Sequence, residues 1–449
     1  VTRLYGMDLV GASLGCLFVL GALAVLDVPS LILMCGAVGG LAGLAFGAEV
    51  LSRRSTRLSL GLVGSLVLVA TLNAGVDNGI QPTVVKGRLV DPEDQLLQRW
   101  NSFSRVVLYR GSRRPPFYWG PSPSAPQPLL FQYYLNIDGE AGTSLGPFLA
   151  REDLDFLRYD VTNVAYYLRP RGGAGVIGVG GGRDVQSAVA FGHEAVTGIE
   201  VNPIFVELLT RDFAAFAGLA GRPGVRLVVD DARSYLSRSS ERFRILQMSM
   251  IDTWAATGAG AYSLSENGLY TVEAWQVFLE HLTDDGIFTV SRWHNPEDLG
   301  ETGRSMSLAV ATLLDLGVSE PAAHVALVTS GRLATLLVAR RAFTAGEAET
   351  LERVTRDLGF RAVVLPGRPP GHGVLRAVLA ARTPAELARA TAGTRLDLSP
   401  PTDDEPYFFN MLRLGELPGA WRILTGKVSG PGGVLRGNLI ATTVLAGLI

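Results

Sequence analysis

The residues able to do chemistry cluster in the middle of the chain, at regularly spaced positions. The glycine run Gly178-Val-Gly180-Gly181-Gly182 follows one apolar stretch and precedes an Ala-rich one. Glu200 closes the next apolar stretch and Asp230-Asp231 the third. Asp252, in Met248-Ser-Met-Ile-Asp-Thr253, closes the fourth. Glycines admit positive φ and close approach to the backbone, and a helix N-terminus offers N–H groups and partial positive charge. A carboxylate at Glu200 can accept from both hydroxyls of a ribose, and one at 230–231 from an adenine amino group. Each acidic residue alone is equally suited to a turn or a cap. In series at successive strand ends they indicate an adenosine-type ligand. Counted from Gly178, the third glycine of a GxGxxG fingerprint would fall on Arg183. Its bulk hinders the close helix–strand contact a dinucleotide motif needs, which disfavours NAD. S-adenosylmethionine or a relative fits better.

Such positions require strands alternating with helices. Apolar segments at 175–179, 195–199, 225–229, 243–248, 286–290, 324–329 and 334–338 read as strands. Helices fit at 185–191, 204–216, 271–282 and 305–316. The expected class is α/β, a Rossmann-like doubly wound, mainly parallel sheet. Residues 100–139 read as a small antiparallel β unit, with a hairpin turn at Asn136-Ile-Asp138-Gly139. The Pro400-Pro-Thr-Asp-Asp-Glu-Pro-Tyr-Phe-Phe409 tail reads as a loop returning to an aromatic anchor.

The 449 residues are 47% hydrophobic, unevenly distributed. Uncharged runs at 9–26, 31–47 and 58–76 each have the length of a bilayer crossing and are rich in Gly and Ala. Flanking transmembrane helices are therefore part of the expected architecture. The chain starts at Val1 and ends at Ile449 inside a new apolar run, so an internal piece of a longer polytopic protein is expected. The expected division is transmembrane helices at 1–78, connector and small β domain at 79–160, adenosyl-binding domain at 161–412, and linker with a further span at 413–449. Lys plus Arg (40) nearly equals Asp plus Glu (42), so no global field recruits nucleic acid. Two isolated cysteines and five scattered histidines give no metal-ligand spacing, and no metal is expected.

With these residues in view, the stretch 100–300 resembles the spermidine synthase (polyamine aminopropyltransferase) family. Gly180-Gly-Gly-Arg-Asp-Val185 stands for its GGGDGG loop, with Glu200 as the acidic residue after strand two. Asp230-Asp-Ala232 stands for its GDG-like turn and Ser249-Met-Ile-Asp-Thr253 for its DSSDP-like segment. The spans, Trp100-Asn-Ser-Phe-Ser104 and the Pro-Thr-Asp-Asp tail are similar to bacterial membrane-embedded members. The resemblance implies transfer of an aminopropyl group from decarboxylated S-adenosylmethionine to an amine, leaving methylthioadenosine. It also implies a bacterial inner-membrane location, and homodimers are common in the family.

The departures bear on the acceptor. Ser249 stands where the family's proton-accepting Asp would be, which leaves Asp252 and Asp184 as candidate catalytic carboxylates. Arg183 replaces the loop Asp that helps hold an amine; pointing into the pocket, it would repel a diamine and welcome a carboxylate. Asp160 and Tyr166 are the nearest polar substitutes for a missing Tyr-Gln pair. Trp254, Tyr262 and Tyr270 are candidate walls of the acceptor pocket, and Arg292-Trp293-His294 a candidate contact to a ligand or the membrane face. Gly178, Gly180, Gly182, Glu200, Asp230 and Asp231 would hold the donor, while Arg183, Ser249, Asp160 and Tyr270 would face the acceptor.

The expectation is thus a membrane-anchored transferase using S-adenosylmethionine or its decarboxylated form. A methyltransferase on the same sheet and a non-catalytic nucleoside- or polyamine-binding transporter or sensor are the alternatives. Arg53, Arg54 and Arg57 argue that the loop before the third span is cytoplasmic. Lys86, Arg88 and Arg99 before the domain, with Arg422, Lys427 and Arg436 after it, pull the other way. A cytoplasmic adenosyl-binding domain is expected because adenosyl sulfonium donors are cytoplasmic.

Overall fold

The computed structural model describes residues 2–76, 79–85, 87–139, 141–148, 150–251, 267–296, 299–411 and 413. The chain forms two compact units. One holds Val1–Gly111 and Tyr133–Thr143, the other Ser112–Gln132 and Ser144–Ile449.

The first unit opens with three helices, α1 (Thr2–Leu23), α2 (Val28–Phe46) and α3 (Arg53–Ala74). Each is long and apolar enough to cross a membrane, and their apolar side chains stay largely exposed. Asp27 caps α2 by accepting from the Ser30 amide at 2.7 Å. Asn73, near the end of α3, donates to Asp27 at 3.2 Å and to the buried Ser30 hydroxyl at 2.8 Å. A Cβ on Gly40 would lie 2.7 Å from Val63, so glycine is what lets α2 and α3 approach there. The basic residues Arg53, Arg54 and Arg57 lie inside α3 rather than in a loop before it. Ser52 starts that helix by accepting from the Ser55 amide at 3.1 Å.

Beyond α3, β1 (Val84–Val85) and β2 (Arg88–Leu89) pair as a short ribbon. Strands β3 (Gln95–Trp100), β4 (Arg105–Arg114), β5 (Leu130–Ile137) and β6 (Ala141–Leu145) form a sheet in that order. Asp138 and Gly139 both take positive φ (49° and 85°), which supplies the expected hairpin turn between β5 and β6.

The second unit is built on eight strands. They are β7 (Gly173–Ile177), β8 (Ala195–Glu200), β9 (Val225–Val229), β10 (Phe243–Ser249), β11 (Leu282–Trp293), β12 (Val325–Ser330), β13 (Leu333–Ala339) and β14 (Arg361–Val364). Their order is β14-β12-β13-β11-β10-β7-β8-β9. The strands from β9 to β11 run parallel, and β13, β12 and β14 extend the sheet antiparallel. The expected α/β class with a mainly parallel sheet is what the chain adopts. The chain winds outward from β7 to β9 and returns beside β7 as β10. That reversal opens a crevice at the carboxyl ends of β7 and β10.

Helices α4 (Arg183–Ala190), α5 (Pro203–Glu207), α6 (Ala214–Ala217) and α7 (Ala232–Arg238) connect these strands. They are followed by α8 (Val272–Glu280), α9 (Gly300–Asp315), α10 (Ala345–Asp357), α11 (Gly373–Ala380) and α12 (Pro384–Ala392). The helix expected over 204–216 is interrupted by a π-turn at Leu208–Asp212, where the Phe213 amide reaches back five residues to Leu208. The main core joins Trp275 and Phe278 of α8, Met306 of α9 and Phe288 of β11. The 3-10 turn Val161–Tyr167 packs against β10, β11, β12 and β13.

The tail is fastened along this unit. Phe408 is fully buried and stacks on Tyr270, with ring centroids 4.4 Å apart. Buried Arg304 donates to four carbonyls of the tail: Ser399 at 3.0 Å, Tyr407 and Phe408 at 2.9 Å, and Asn410 at 2.7 Å. Asp403 holds Arg233 through two bonds at 2.6–2.7 Å. Hydrogen bonds to a charged group contribute about 1.5–3 kcal/mol each and are not additive. Arg304→Met should therefore cost on the order of 3 kcal/mol in denaturant unfolding. Hydrogen exchange should then speed up across 399–411 while amides of β7 and β10 stay protected.

Candidate functional site

Three loop glycines after β7 take positive φ: Gly178 (79°), Gly180 (50°) and Gly182 (88°). Gly182 is the N-cap of α4, a left-handed position that a side chain would strain. Gly181 serves a different purpose. A Cβ there would lie 2.1 Å from the Ser144 carbonyl oxygen, so the chain's own 144–145 segment takes the close approach this glycine permits.

Glu200 ends β8, buried, with both carboxylate oxygens turned to backbone amides. Oε2 accepts from Gly180 and Oε1 from Asn202, each at 2.9 Å. Burial pushes its carboxyl pKa up, and these amides pull against that shift. The carboxylate therefore fixes the glycine loop to the end of β8. Beside it, Val201 is 36% exposed and Val229, at the end of β9, is 49% exposed. Sequence reading passed over this pair; apolar side chains left open at neighbouring strand ends are suited to cover a flat ring.

Asp231 caps α7 by accepting from the Ser234 amide at 2.8 Å, and Asp230 pairs with Arg238 at 2.5 Å. Both stand where the strand pattern puts them, yet each already has a partner of its own. Asp252, Trp254 and Tyr262 lie outside the described residues.

Arg183 departs from the expectation that it meets a carboxylate on the substrate. It is buried, and its guanidinium is held by two carboxylates of the chain, Asp160 and, at 2.9 Å, Asp184. Its Nε also donates to the Phe117 carbonyl at 3.3 Å. A fixed guanidinium fork taken out of water needs such partners. Asp160 is fully buried and accepts from the amides of Trp119 (2.7 Å), Gly120 (3.2 Å) and Thr162 (3.1 Å), and from the Thr162 hydroxyl. It is a structural hub joining 117–120 to α4. Arg183 also lines a small cleft with Phe117, Gln132, Ser144, Phe156 and Gln186.

Asp184 also meets the strand end of β10. It is buried, which raises its carboxyl pKa, while the Arg183 charge and the Ser249 hydroxyl lower it. Ser249 in turn accepts from Gln247 Nε2 at 3.0 Å, and Gln247 Oε1 accepts from the Tyr166 hydroxyl at 2.7 Å. Gln247 is a residue the motif reading did not single out; a polar residue amid the apolar run of β10 was its only signal.

Tyr270 is not a pocket wall. It is fully buried, packed between Phe408 and Phe409, and its hydroxyl accepts from Arg292 at 3.2 Å. Arg292 is itself paired with buried Glu301 at 2.6 Å, and His294 meets Thr302 at 3.1 Å. Arg292 and Tyr270 thus belong to the anchorage of the tail and α9. Trp293 faces Trp119 edge-on at 6.5 Å, and Trp119 packs on Phe117 at 4.9 Å. That aromatic cluster adjoins Asp160.

No family model and no curated protein matches the sequence. Similar solved structures include the spermidine synthase from Thermotoga maritima, at 13% identity and TM-score 0.39, covering 60% of this chain and 85% of that one. A probable spermidine synthase from Corynebacterium glutamicum has 15% identity and TM-score 0.38, over 63% and 92% of the two chains. A spermidine synthase in complex with the transition state analogue AdoDATO has 14% identity and TM-score 0.37, over 57% and 75%. These are likenesses of fold.

Removing one partner of a buried ion pair leaves the other charge uncompensated, at a cost of about 3–5 kcal/mol. Asp160→Ala should destabilise the protein by that amount in denaturant unfolding. The Asp160→Ala/Arg183→Met double variant should recover much of the loss, giving a coupling energy of at least about 1 kcal/mol in the double-mutant cycle.

Proposed function

We propose that this chain is a membrane-anchored, spermidine synthase-like transferase using S-adenosylmethionine or decarboxylated S-adenosylmethionine. It transfers an aminopropyl-type group to an amine and releases methylthioadenosine. The observation that carries this reading is the convergence at one crevice of a glycine loop tied to a buried Glu200 and a buried acidic cluster. Ribose hydroxyls are donors suited to the Glu200 carboxylate, and a nucleobase fits the open Val201 and Val229.

The charge count favours a cationic partner beside α4. Arg183 is one formal positive charge against Asp160 and Asp184, and Glu200 adds another negative charge nearby. A sulfonium donor and an alkylammonium acceptor both reduce that excess. With its charge already met, Arg183 does not repel a diamine, which reverses the expectation drawn from the sequence. The reaction places the acceptor nitrogen in line with the carbon–sulfur bond, and fixing both partners in one cleft supplies much of the acceleration. Anchoring by α1–α3 suits an acceptor that partitions into the bilayer.

Calorimetry with millimolar donor or methylthioadenosine should show binding. Glu200→Ala should weaken it by roughly 10–150-fold, the loss of one charge-assisted hydrogen bond. Absence of binding to any of these compounds would overturn the reading. Mass spectrometry after incubation with both donors and a panel of primary amines reads the transferred group. Methylthioadenosine supports aminopropyl transfer, and S-adenosylhomocysteine identifies a methyltransferase instead.

We place the adenosyl-binding domain on the cytoplasmic side, where such donors are made. With α3 a complete crossing, Arg53, Arg54 and Arg57 then lie on the outer side, against the usual charge bias. Ser52→Cys, with Cys16 and Cys35 replaced by Ala, should react with an impermeant maleimide added to intact cells. Labelling only after lysis would put the domain outside.

A further inference from the structure

Past the end of α3 the chain keeps apolar side chains in the open. Leu72 and Val76, at the close of that helix, are exposed, and exposed apolar residues recur at Ile80, Val84 and Leu89. Singly, such residues are ordinary on any surface; here they follow one another along one short segment. Val84 and Leu89 are direct partners across the β1–β2 ribbon, so they share a face of it, 59% and 86% exposed. Val85 alternates to the other face, and that face is already committed. A Cβ at Gly139, in the β5–β6 turn, would collide with the Val85 side chain, so the ribbon leans on that turn through Val85.

The level of the ribbon is set by the helices. The Ile80 amide donates to Asn73 Oδ1, and the same side chain donates to Asp27 and Ser30 at the start of α2. One amide side chain thus ties the segment leading into the ribbon to the ends of two apolar helices. Helix ends of this length lie where the hydrocarbon core gives way to headgroups. Four residues separate Ile80 from Val84, a reach of at most about 14 Å, and strand pairing brings Leu89 back beside Val84. Between Ile80 and Val90 the only charged residues in the sequence are Lys86 and Arg88, both cations, and acids resume at Asp91. An apolar face with cations next to it in the chain suits the boundary of a bilayer that carries anionic lipid.

We propose that the β1–β2 ribbon is an interfacial lipid anchor. Val84 and Leu89 enter the boundary between headgroups and acyl chains on the side where α3 ends. Val85, on the opposite face, fastens the β5–β6 turn to the ribbon and so holds the small sheet at the membrane surface. The occupant is lipid rather than another protein because Ile80, bonded to the last turn of α3, leaves the ribbon within a few residues of a surface the helices already meet. The proposal rests on the membrane anchoring in the proposed function and not on the transfer reaction.

The test uses the full chain in nanodiscs of phosphatidylcholine with a minority of phosphatidylglycerol, with Cys16 and Cys35 replaced by Ala. Val84→Cys, Leu89→Cys and, in the middle of α2, Val38→Cys each carry an environment-sensitive fluorophore. Nitroxide lipids labelled either near the headgroup or near the chain end serve as quenchers. An element buried about 5–10 Å into the interface should be quenched at least about twofold more by the shallow nitroxide than by the deep one, at both 84 and 89. Val38→Cys should show the reverse order. Leu89→Asp in the Val84→Cys protein should cut the shallow quenching by about half or more, since an ionised carboxylate resists entry into the acyl boundary. No lipid quenching at 84 and 89, with Val38→Cys still quenched from the chain end, would overturn the anchor and leave the spans standing. Shielding of both positions from aqueous iodide without lipid quenching would overturn it too, in favour of a protein cover. Absence of lipid quenching at Val38 would overturn the membrane anchoring and this proposal together.

Discussion

The crevice depends on one buried guanidinium. Arg183 opens α4, where the helix macrodipole already presents partial positive charge, so its location is unfavourable unless anions surround it. Asp184 on the same turn and Asp160 from the preceding segment supply them. Because a guanidinium donates in a rigid plane, the two carboxylates are held at fixed angles as well as fixed distances. Asp160 also gathers the amides of Trp119, Gly120 and Thr162, so the same ion pair sets the path of 117–120 and the start of the turn that packs on the sheet. Remove the arginine and two acids face each other in low dielectric; remove an acid and a stranded cation remains. The arrangement persists as a triad.

The other fixed points share this logic. Glu200 binds the glycine loop to β8 through backbone amides, and Arg304 binds the tail to α9 through backbone carbonyls. In each case one buried ionic side chain satisfies backbone groups from a segment that carries no regular hydrogen bonding of its own. Loops placed this way are positioned by charge-assisted bonds, which are directional, rather than by apolar packing alone. That suits a crevice whose walls come from segments far apart in sequence.

Much of the second unit was legible from residue types and period. Parallel strands inside the sheet read as short apolar runs, and β7, β8, β10 and β11 were found for that reason, while the edge strand β9, with no fully buried residue, was found by its run of valines. The acidic residues at their ends were located by the same pattern, but their partners were not. Asp160 lies 23 residues before Arg183, and nothing in local spacing says that the two meet. Tyr270 illustrates the opposite error: proximity to the motif suggested a pocket, whereas Phe408, well over a hundred residues later, claims its face. The π-turn at 208–212 broke an otherwise helical pattern because the extra residue changes no residue type. The late helices went unassigned although Thr344 and Glu347 form a reciprocal capping box, a local signal that was there to be read.

The partnering of Arg183 also changes how the departures from the resemblance fit together. Taken singly, a serine for an aspartate at the end of β10 and an arginine for an aspartate in the glycine loop each remove negative charge from the acceptor side. Taken with Asp184 and Asp160, they describe a displacement: the carboxylates sit at the first turn of α4 and behind it, and the arginine between them cancels only one. Near the crevice the local sum stays negative. In the proposed transferase the glycine loop, Glu200 and the α4 cluster would make one site, its nucleoside side set by backbone geometry and its acceptor side by the balance of buried charge.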